Sequence, residues 1–432
     1  MIAQIIFSIA FLAAVILFSI QVKKIIRNIN LGKDTNCSDH PKERWLTMAK
    51  VALGQTKMVV KPVAGIMHIF VYLGFVIINL EVLEIILDGI FGTHRIFSFL
   101  GGFYNFLIAS FEILALLVLV GVIVFLARRV VLGLKRFSGV EMTAWPKSDA
   151  IYILVIEVLL MSAFLTMNAA DYKLQLAGYG HYLTAGSFPV SQYLLGILPN
   201  SPESLVLIER ACWWFHILGI LAFLNYLPFS KHLHIILAFP NTWYSNLNAK
   251  GRFNNMTSVT NEVKAMLDPS FTPPAATEIG RFGAKDVQDL NWVQLMNAYT
   301  CTECGRCTSV CPANQTGKLL SPRKIMMDTR DRLEEMGKNT DKHGKGYDDG
   351  KSLLDDYITR EEIWACTTCN ACTDACPVNI DPLSIIVDLR RYAVMEESNV
   401  TGSLNAMFSN VENNGAPWKY SPADRLNWAN KD

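Results

Sequence analysis

Charge is scarce in this chain: Asp, Glu, Lys and Arg make up 18% of its 432 residues, where soluble domains usually carry about 25%. The two signs nearly cancel, leaving a formal net charge of +1, so nothing in the total invites a nucleic acid. No glycine-rich dinucleotide fingerprint stands before a helix, which argues against a nicotinamide or flavin site of that kind. No two cysteines are adjacent. Disorder, collagen-like repeats and a small disulfide scaffold are all incompatible with a composition that is 51% hydrophobic. The apolar excess is uneven: it fills the first 240 residues, and the remainder reads as a soluble domain. Ten cysteines are present, eight of them in two blocks of identical spacing, a regularity that points to metal rather than disulfides.

Five apolar stretches are long enough to cross a bilayer, which takes roughly 20 helical residues: 2–22, 62–87, 103–127, 150–170 and 204–229. The first has no basic leader before it and no small-residue cleavage site after it, so it reads as an anchor rather than a signal peptide. Basic residues set the orientation. Segment 23–61 holds nine Lys or Arg and segment 128–149 five, while 88–102 and 171–203 hold one each, Arg95 and Lys173. The amino terminus is therefore expected outside and the carboxy-terminal half in the cytoplasm. Glu81, Glu84, Glu112 and Glu157 lie within spans and should face the bundle interior or water. They would serve a proton path or a quinone-site wall, or else hydrogen-bond between helices.

Three histidines fall at or near membrane depth. His68 lies in the second span, His216 inside the fifth, and His234 closes the fifth in the run Pro228-Phe229-Ser230-Lys231-His232-Leu233-His234. Imidazole in an apolar helix needs a partner, and haem iron is a standard one. A lone histidine would more often be a packing residue; three on two helices favour haem. At 1.5 Å rise per residue, His68 lies about 10 Å above the cytoplasmic boundary.

The fifth span, from Phe215 to Ile235, resembles the fifth helix of the cytochrome b subunit of respiratory nitrate reductase. It shares the histidine pair eighteen residues apart and the Pro-Phe-Ser-basic turn before the second. That family holds two b haems, each between one histidine of the second helix and one of the fifth. The resemblance implies haem b ligation by His68 with His234, and His216 as ligand of a second haem. The family's second helix carries two histidines ten residues apart, and here only His68 is present. Ile78 takes the outer position if His68 is the inner ligand; Met58 takes the inner one if His68 is the outer ligand, with His216 as its partner. Lys231 and Arg210, at the two ends of the span, are candidates for haem propionates or ordinary flanking cations.

The cysteine blocks read Cys301-x-x-Cys304-x-x-Cys307-x-x-x-Cys311-Pro312 and Cys366-x-x-Cys369-x-x-Cys372-x-x-x-Cys376-Pro377. This is the bacterial two-cluster ferredoxin signature, in which the fourth cysteine of each run ligates the other cluster. One [4Fe-4S] cluster is thus assigned to Cys301, Cys304, Cys307 and Cys376, the second to Cys366, Cys369, Cys372 and Cys311. Zinc, the competing reading, rarely uses a run of four with a trailing proline. Cys37 and Cys212 are expected as unliganded thiols. Helical patterns over Leu319–Glu335 and Leu383–Glu397 flank the blocks, and the polar run Lys338–Lys351 reads as an exposed loop. This part resembles the helical ferredoxin domain of succinate dehydrogenase iron–sulfur subunits and of heterodisulfide reductase electron-transfer subunits. Phe282-Gly283 through Cys307 is close to the membrane-bound heterodisulfide-reductase-like family.

The expected architecture is all-α: a five-span, b-haem-binding membrane domain (1–236), a linker (237–290), a helical two-[4Fe-4S] ferredoxin domain (291–395) and a polar tail (396–432). The resemblance implies an electron-transfer subunit of a quinone-linked oxidoreductase in the bacterial inner membrane. It would work between a cytoplasmic redox partner and menaquinone or ubiquinone. The family's catalytic module carries adjacent cysteines, which this chain lacks. The substrate site is therefore expected on a soluble cysteine-rich iron–sulfur subunit, with an electron-transfer flavoprotein as a further partner. Two other classes compete: a self-sufficient quinone:ferredoxin oxidoreductase, and an iron–sulfur redox sensor, for which the tail after Glu397 is too short and polar to be an output domain.

Overall fold

The computed structural model describes residues 1–180, 182–274 and 280–429. Residues 275–279 of the expected linker and 430–432 of the expected tail lie outside the described residues. Those described form helices and loops, with no strand beyond two isolated bridges, Lys33 with Asn291 and Leu354 with Ile358.

Five helices are long and apolar enough to cross a membrane: α1 (Ile2–Ile29), α2 (Pro62–Phe91), α3 (Gly102–Val130), α4 (Trp145–Leu176) and α5 (Pro202–Tyr226, carried on to Phe229 by a 3-10 turn). Each runs past the apolar stretch that announces it, because polar residues at the ends continue the backbone hydrogen bonding where hydropathy has fallen. Proline in the first turn starts α2, α4 and α5, where its missing N–H costs nothing, and Ser201 caps α5. Lipid gives helices no hydrophobic reason to associate, so close approach does that work. At Gly89 an added Cβ would fall 2.6 Å from the Phe7 ring, and at Gly219 equally close to Leu160. Ile5, Ile9, Leu12 and Ile16 of α1 are left exposed, as lipid-facing residues should be.

The second core belongs to the cysteine-bearing part. It gathers α6 (His234–Trp243), α7 (Trp292–Thr300), α8 (Pro322–His343) and α9 (Pro382–Met395) around Leu295, Ile325, Leu333, Ile386 and Leu389. Ile25 and Ile29, at the end of α1, belong to this same core. Asn28 donates to the Tyr299 hydroxyl at 2.9 Å, and Lys24 pairs with Asp341 at 3.0 Å. The first span therefore ends inside the cysteine domain.

Three segments expected as linker, loop or tail carry helix. The linker 237–290 carries most of α6 and a further helix, Thr257–Leu267, and α6 packs against α7. The run Lys338–Lys351 is not all loop: α8 continues to His343, since no breaker arrives before Gly344, whose φ of 91° ends it. The tail likewise includes a helix, Gly402–Asn414.

Candidate functional site

Both cysteine runs fold the same way locally. Glu303 and Gly305 in the first run, and Thr368 and Asn370 in the second, have φ between 53° and 71°. These left-handed residues around each second cysteine curl the loop into a concave nest of backbone groups. A short helix follows in each, Arg306–Val310 and Ala371–Ala375, and the two helices pack on each other. Gly305 is needed twice over: its φ is 71°, and an added Cβ would lie 2.6 Å from the Arg323 guanidinium and 2.8 Å from the Arg136 carbonyl oxygen.

This pairing interlocks the runs. Cys301, Cys304, Cys307 and Cys376 line one small pocket, closed by Pro377 and Met326. On the other side Cys366 feels the charge of Cys311 and Cys369, and Cys372 that of Cys366. The thiols are gathered around a space rather than a point: among the described residues no three His, Cys, Asp or Glu could hold a single metal ion. Burial pushes the Cys301 and Cys372 thiols up to about 12 and Cys376 to about 11. A metal must therefore displace protons as it binds. Backbone N–H groups of Thr368 and Ile380 donate to Cys366 Sγ (3.4 Å) and Cys376 Sγ (3.3 Å). Cys301, Cys311, Cys372 and Cys376 are buried, whereas Cys369 is exposed.

The first run is docked on the membrane bundle by charges. Glu303, buried between Cys301 and Cys304, pairs with Lys231 Nζ at 2.5 Å and with Arg330 of α8 at 2.9 Å. Burial works against its charge, but the two cations hold its carboxyl below the usual range. Arg306 donates to the carbonyls of Lys57 (2.8 Å) and Met58 (3.3 Å), in the loop before α2. Arg323 pairs with Glu141 at 2.7 Å in the loop before α4. The two basic loops thus lie on the face of the bundle that meets the cysteine domain.

Above this contact a cavity of about 400 Å³ enters the bundle. His68, His216, His232 and His234 all line it, and so do Cys304 and Pro377. The His68 and His234 ring centroids are 6.5 Å apart. Two metal–nitrogen bonds of about 2 Å, plus half a ring at each end, add up to roughly that separation, so one metal ion would fit between the two rings. His234 Nδ1 lies 3.0 Å from the Lys231 carbonyl, which leaves Nε2 with a free lone pair. His68 Nδ1 is buried without a hydrogen-bond partner. Arg128, Arg129, Arg136 and Arg306 line the cavity too, a set of cations suited to carboxylates. These residues fit a haem.

The two cations singled out from the sequence behave differently. Lys231 reaches the cavity wall, but its ammonium is committed to Glu303. Arg210 pairs with its neighbour Glu209, lies over the Trp213 ring and is not brought to the cavity. Of the four membrane carboxylates, two tie structure together. Glu84 accepts from the Tyr104 hydroxyl and the Phe97 N–H, both at 2.9 Å. Glu112 accepts from Val190 N (2.9 Å) and Ser191 N (3.0 Å). Glu81 is buried with Oε2 unpaired, and Glu157 lines the cavity. Glu303, Arg306, Arg330 and the arginines of 128–136 were missed, although Glu303 and Arg306 stand inside a cysteine motif where a charge is conspicuous.

Residues 300–380 match the family described as a 4Fe-4S dicluster domain. The chain is 30% identical to the probable iron–sulfur-binding oxidoreductase FadF of Bacillus subtilis, over 96% of this chain and 59% of that protein. It is 27% identical to the EtfAB:quinone oxidoreductase of Syntrophomonas wolfei, over 87% of this chain and 52% of that protein. One subunit of the ferredoxin/F(420)H(2)-dependent CoB-CoM heterodisulfide reductase of Methanosarcina acetivorans is 34% identical over 23% of this chain and 49% of its own. The chain thus spans between about half and three-fifths of the two longer relatives. No solved structure matches it. It is an all-helical, iron–sulfur oxidoreductase-like membrane protein with a 4Fe-4S dicluster domain and heterodisulfide-reductase-like relatives.

Proposed function

We propose that the chain passes electrons between a cytoplasmic redox partner and the quinone pool of a bacterial inner membrane, through two [4Fe-4S] clusters and a b-type haem. The observation that carries this reading is the cavity whose wall includes His68 and His234 at one level and Cys304 and Pro377 at its base. In it His68 and His234 would hold the haem, the Lys231 carbonyl fixes the tautomer of His234, and the arginines at its domain end would receive the propionates. When bound, haem supplies a one-electron relay between the cluster built on Cys301, Cys304, Cys307 and Cys376 and the bundle interior. The ion pairs of Glu303 keep that cluster seated on the cavity, and the domain shields its buried thiols from water. The second cluster, on Cys366, Cys369, Cys372 and Cys311, meets the partner through the exposed Cys369. Electron-transfer flavoprotein is proposed as a partner by analogy with the name of one relative, and a cysteine-rich iron–sulfur protein because this chain has no adjacent cysteines.

Orientation rests on the basic loops. Fourteen Lys or Arg lie in 23–61 and 128–149, on the face that carries the clusters, so the clusters are cytoplasmic and the amino terminus is outside. The test is a dithionite-reduced spectrum of the purified protein. A b-type signal lost in His68→Ala, with cluster signals retained, supports the reading; an unchanged haem content in that variant refutes it.

A further inference from the structure

We infer that the far end of the cavity, around His216 and Glu157, is the quinone site and not the seat of a second haem. This rests on the haem reading above and sharpens it.

Four observations carry it. First, the levels do not supply a histidine pair. Counting 1.5 Å per residue from Phe229 and from Pro62, the span ends nearest the cysteine domain, His216 stands about 20 Å up α5. The α2 residues at that height are Gly74 to Ile78, and both Gly74 and Ile78 line the cavity. Second, His216 turns one free ring nitrogen to the cavity and, among the described residues, has no histidine facing it at its own level. It is buried, and its Nδ1 lies 3.0 Å from the Leu160 carbonyl. A carbonyl only accepts, so Nδ1 carries the proton and Nε2 keeps its lone pair. Third, Glu157, one turn from Leu160 on α4, lines the same cavity and takes part in no hydrogen bond or ion pair with the described residues. A carboxyl within the membrane segment without a protein partner marks a functional position. Fourth, the wall there reaches lipid: Phe75 and Val76 line the cavity and are 44% and 52% exposed. An apolar opening of that kind admits an isoprenoid tail from the side.

Together these form a site with a donor for a quinone C=O, the Glu157 carboxyl, and an acceptor for a hydroquinone O–H, Nε2 of His216. In the reducing direction the two quinone C=O groups become C–OH. The two electrons are supplied by the cytoplasmic redox partner. One proton comes from the Glu157 carboxyl; the other is first taken up from water at the Nε2 lone pair of His216 and then passed to the second oxygen. In the oxidising direction the same two groups take the protons. The reductant or oxidant at the far end of the wire is the cytoplasmic flavoprotein or iron–sulfur protein.

The test uses the full chain in nanodiscs, with haem per chain counted chemically and binding of 2-heptyl-4-hydroxyquinoline N-oxide followed by fluorescence quenching. The Met161 thioether also lines this end, so the haem count is the deciding number. We expect one haem per chain in the wild type and in His216→Leu. Probe binding should weaken about tenfold in His216→Leu, the equivalent of one lost hydrogen bond. Glu157→Leu has no hydrogen bond or ion pair among the described residues to lose and guards against misfolding; it should keep its haem and bind the probe about tenfold more weakly. Two haems per chain, loss of haem in His216→Leu, or unchanged binding in Glu157→Leu would each overturn the inference. None of these touches the haem reading, which fails separately if the wild type holds no haem or His68→Ala keeps it.

Discussion

Glu303 is the residue on which the seating of the first cluster turns, and Glu303→Gln tests that. The side chain is 3% exposed, with Lys231 at 2.5 Å (7% exposed) and Arg330 at 2.9 Å (15% exposed). Removing one partner of a buried ion pair costs about 3–5 kcal/mol, because the other charge stays buried without compensation. Two considerations place this case near the lower end. Lys231 keeps the Pro146 carbonyl at 2.5 Å and Asp149 at 3.8 Å, and Arg330 keeps Asp331 at 3.4 Å. A loss of about 3 kcal/mol lowers the apparent melting temperature by roughly 6–12 °C for a cooperative unit of 150–250 residues. The assay is the loss of visible cluster absorbance on heating the anaerobically purified chain at one fixed scan rate. Lys250→Ala is the control: its pair with Asp374 is exposed on both sides (74% and 55%), so it should change stability by less than about 1 kcal/mol. In Glu303→Gln/Lys231→Met the second change removes a stranded cation, so the double variant should be less destabilised than the sum of the single ones. A Glu303→Gln midpoint within about 1 °C of wild type, or strict additivity, refutes the reasoning.

Three further outcomes are expected. The anaerobically purified protein should contain iron and acid-labile sulfide in near-equal amounts, matching two four-iron clusters; zinc in their place sinks the cluster assignment. Because Cys376 shares a pocket with the first run, Cys376→Ser should alter the same paramagnetic signal as Cys301→Ser, and Cys311→Ser the same one as Cys366→Ser. If each fourth cysteine groups with its own run, the interlocked arrangement is wrong. Asp349 is held below the ordinary carboxylate range, first by its hydrogen bond from Arg332. Its stabilisation is then complete above the unfolded value of about 3.9 and is lost as pH falls through the lower folded one. Asp349→Asn should therefore speed amide exchange over 345–352 at pH 7, with the gap to wild type narrowing only below about pH 4. A gap independent of pH contradicts this.

The elements most legible in the sequence were those fixed by short-range pattern. All five spans stand where the apolar stretches place them, and the cysteine spacing leads to the shared pocket of Cys301, Cys304, Cys307 and Cys376. Spacing works there because a loop of three cysteines has little freedom once its left-handed turns are set. What the sequence hid was long-range. Lys231 reads as a flanking cation with a propionate as one candidate partner, and only the fold shows that the residue across from it is Glu303, seventy-two positions away. Arg210 fails to reach the cavity because Glu209 is its nearer partner. The stretch 237–290 reads as linker because its helices are short, yet Trp292 meets Tyr244 edge to face with centroids 4.7 Å apart and ties α6 into the domain core.

The arrangement of the two clusters also constrains where a partner can act. They are chemically alike in ligand type but not in surroundings. The first is enclosed: its pocket is lined by Glu303, Arg306 and Arg323, and each of these is engaged with a loop or span of the bundle or with α8. A soluble protein approaching it would have to displace those pairs, at several kcal/mol each. The second keeps Cys369 exposed, and Thr367 and Asn370 near it in the same loop offer no charge to be desolvated. Electrons exchanged with a soluble partner are thus expected at the second cluster, and those exchanged with the membrane at the first. Interlocking the runs serves this polarity: the short helices that follow the second cysteine of each run pack on one another, so the two clusters are held at fixed separation while one faces the bundle and the other the solvent.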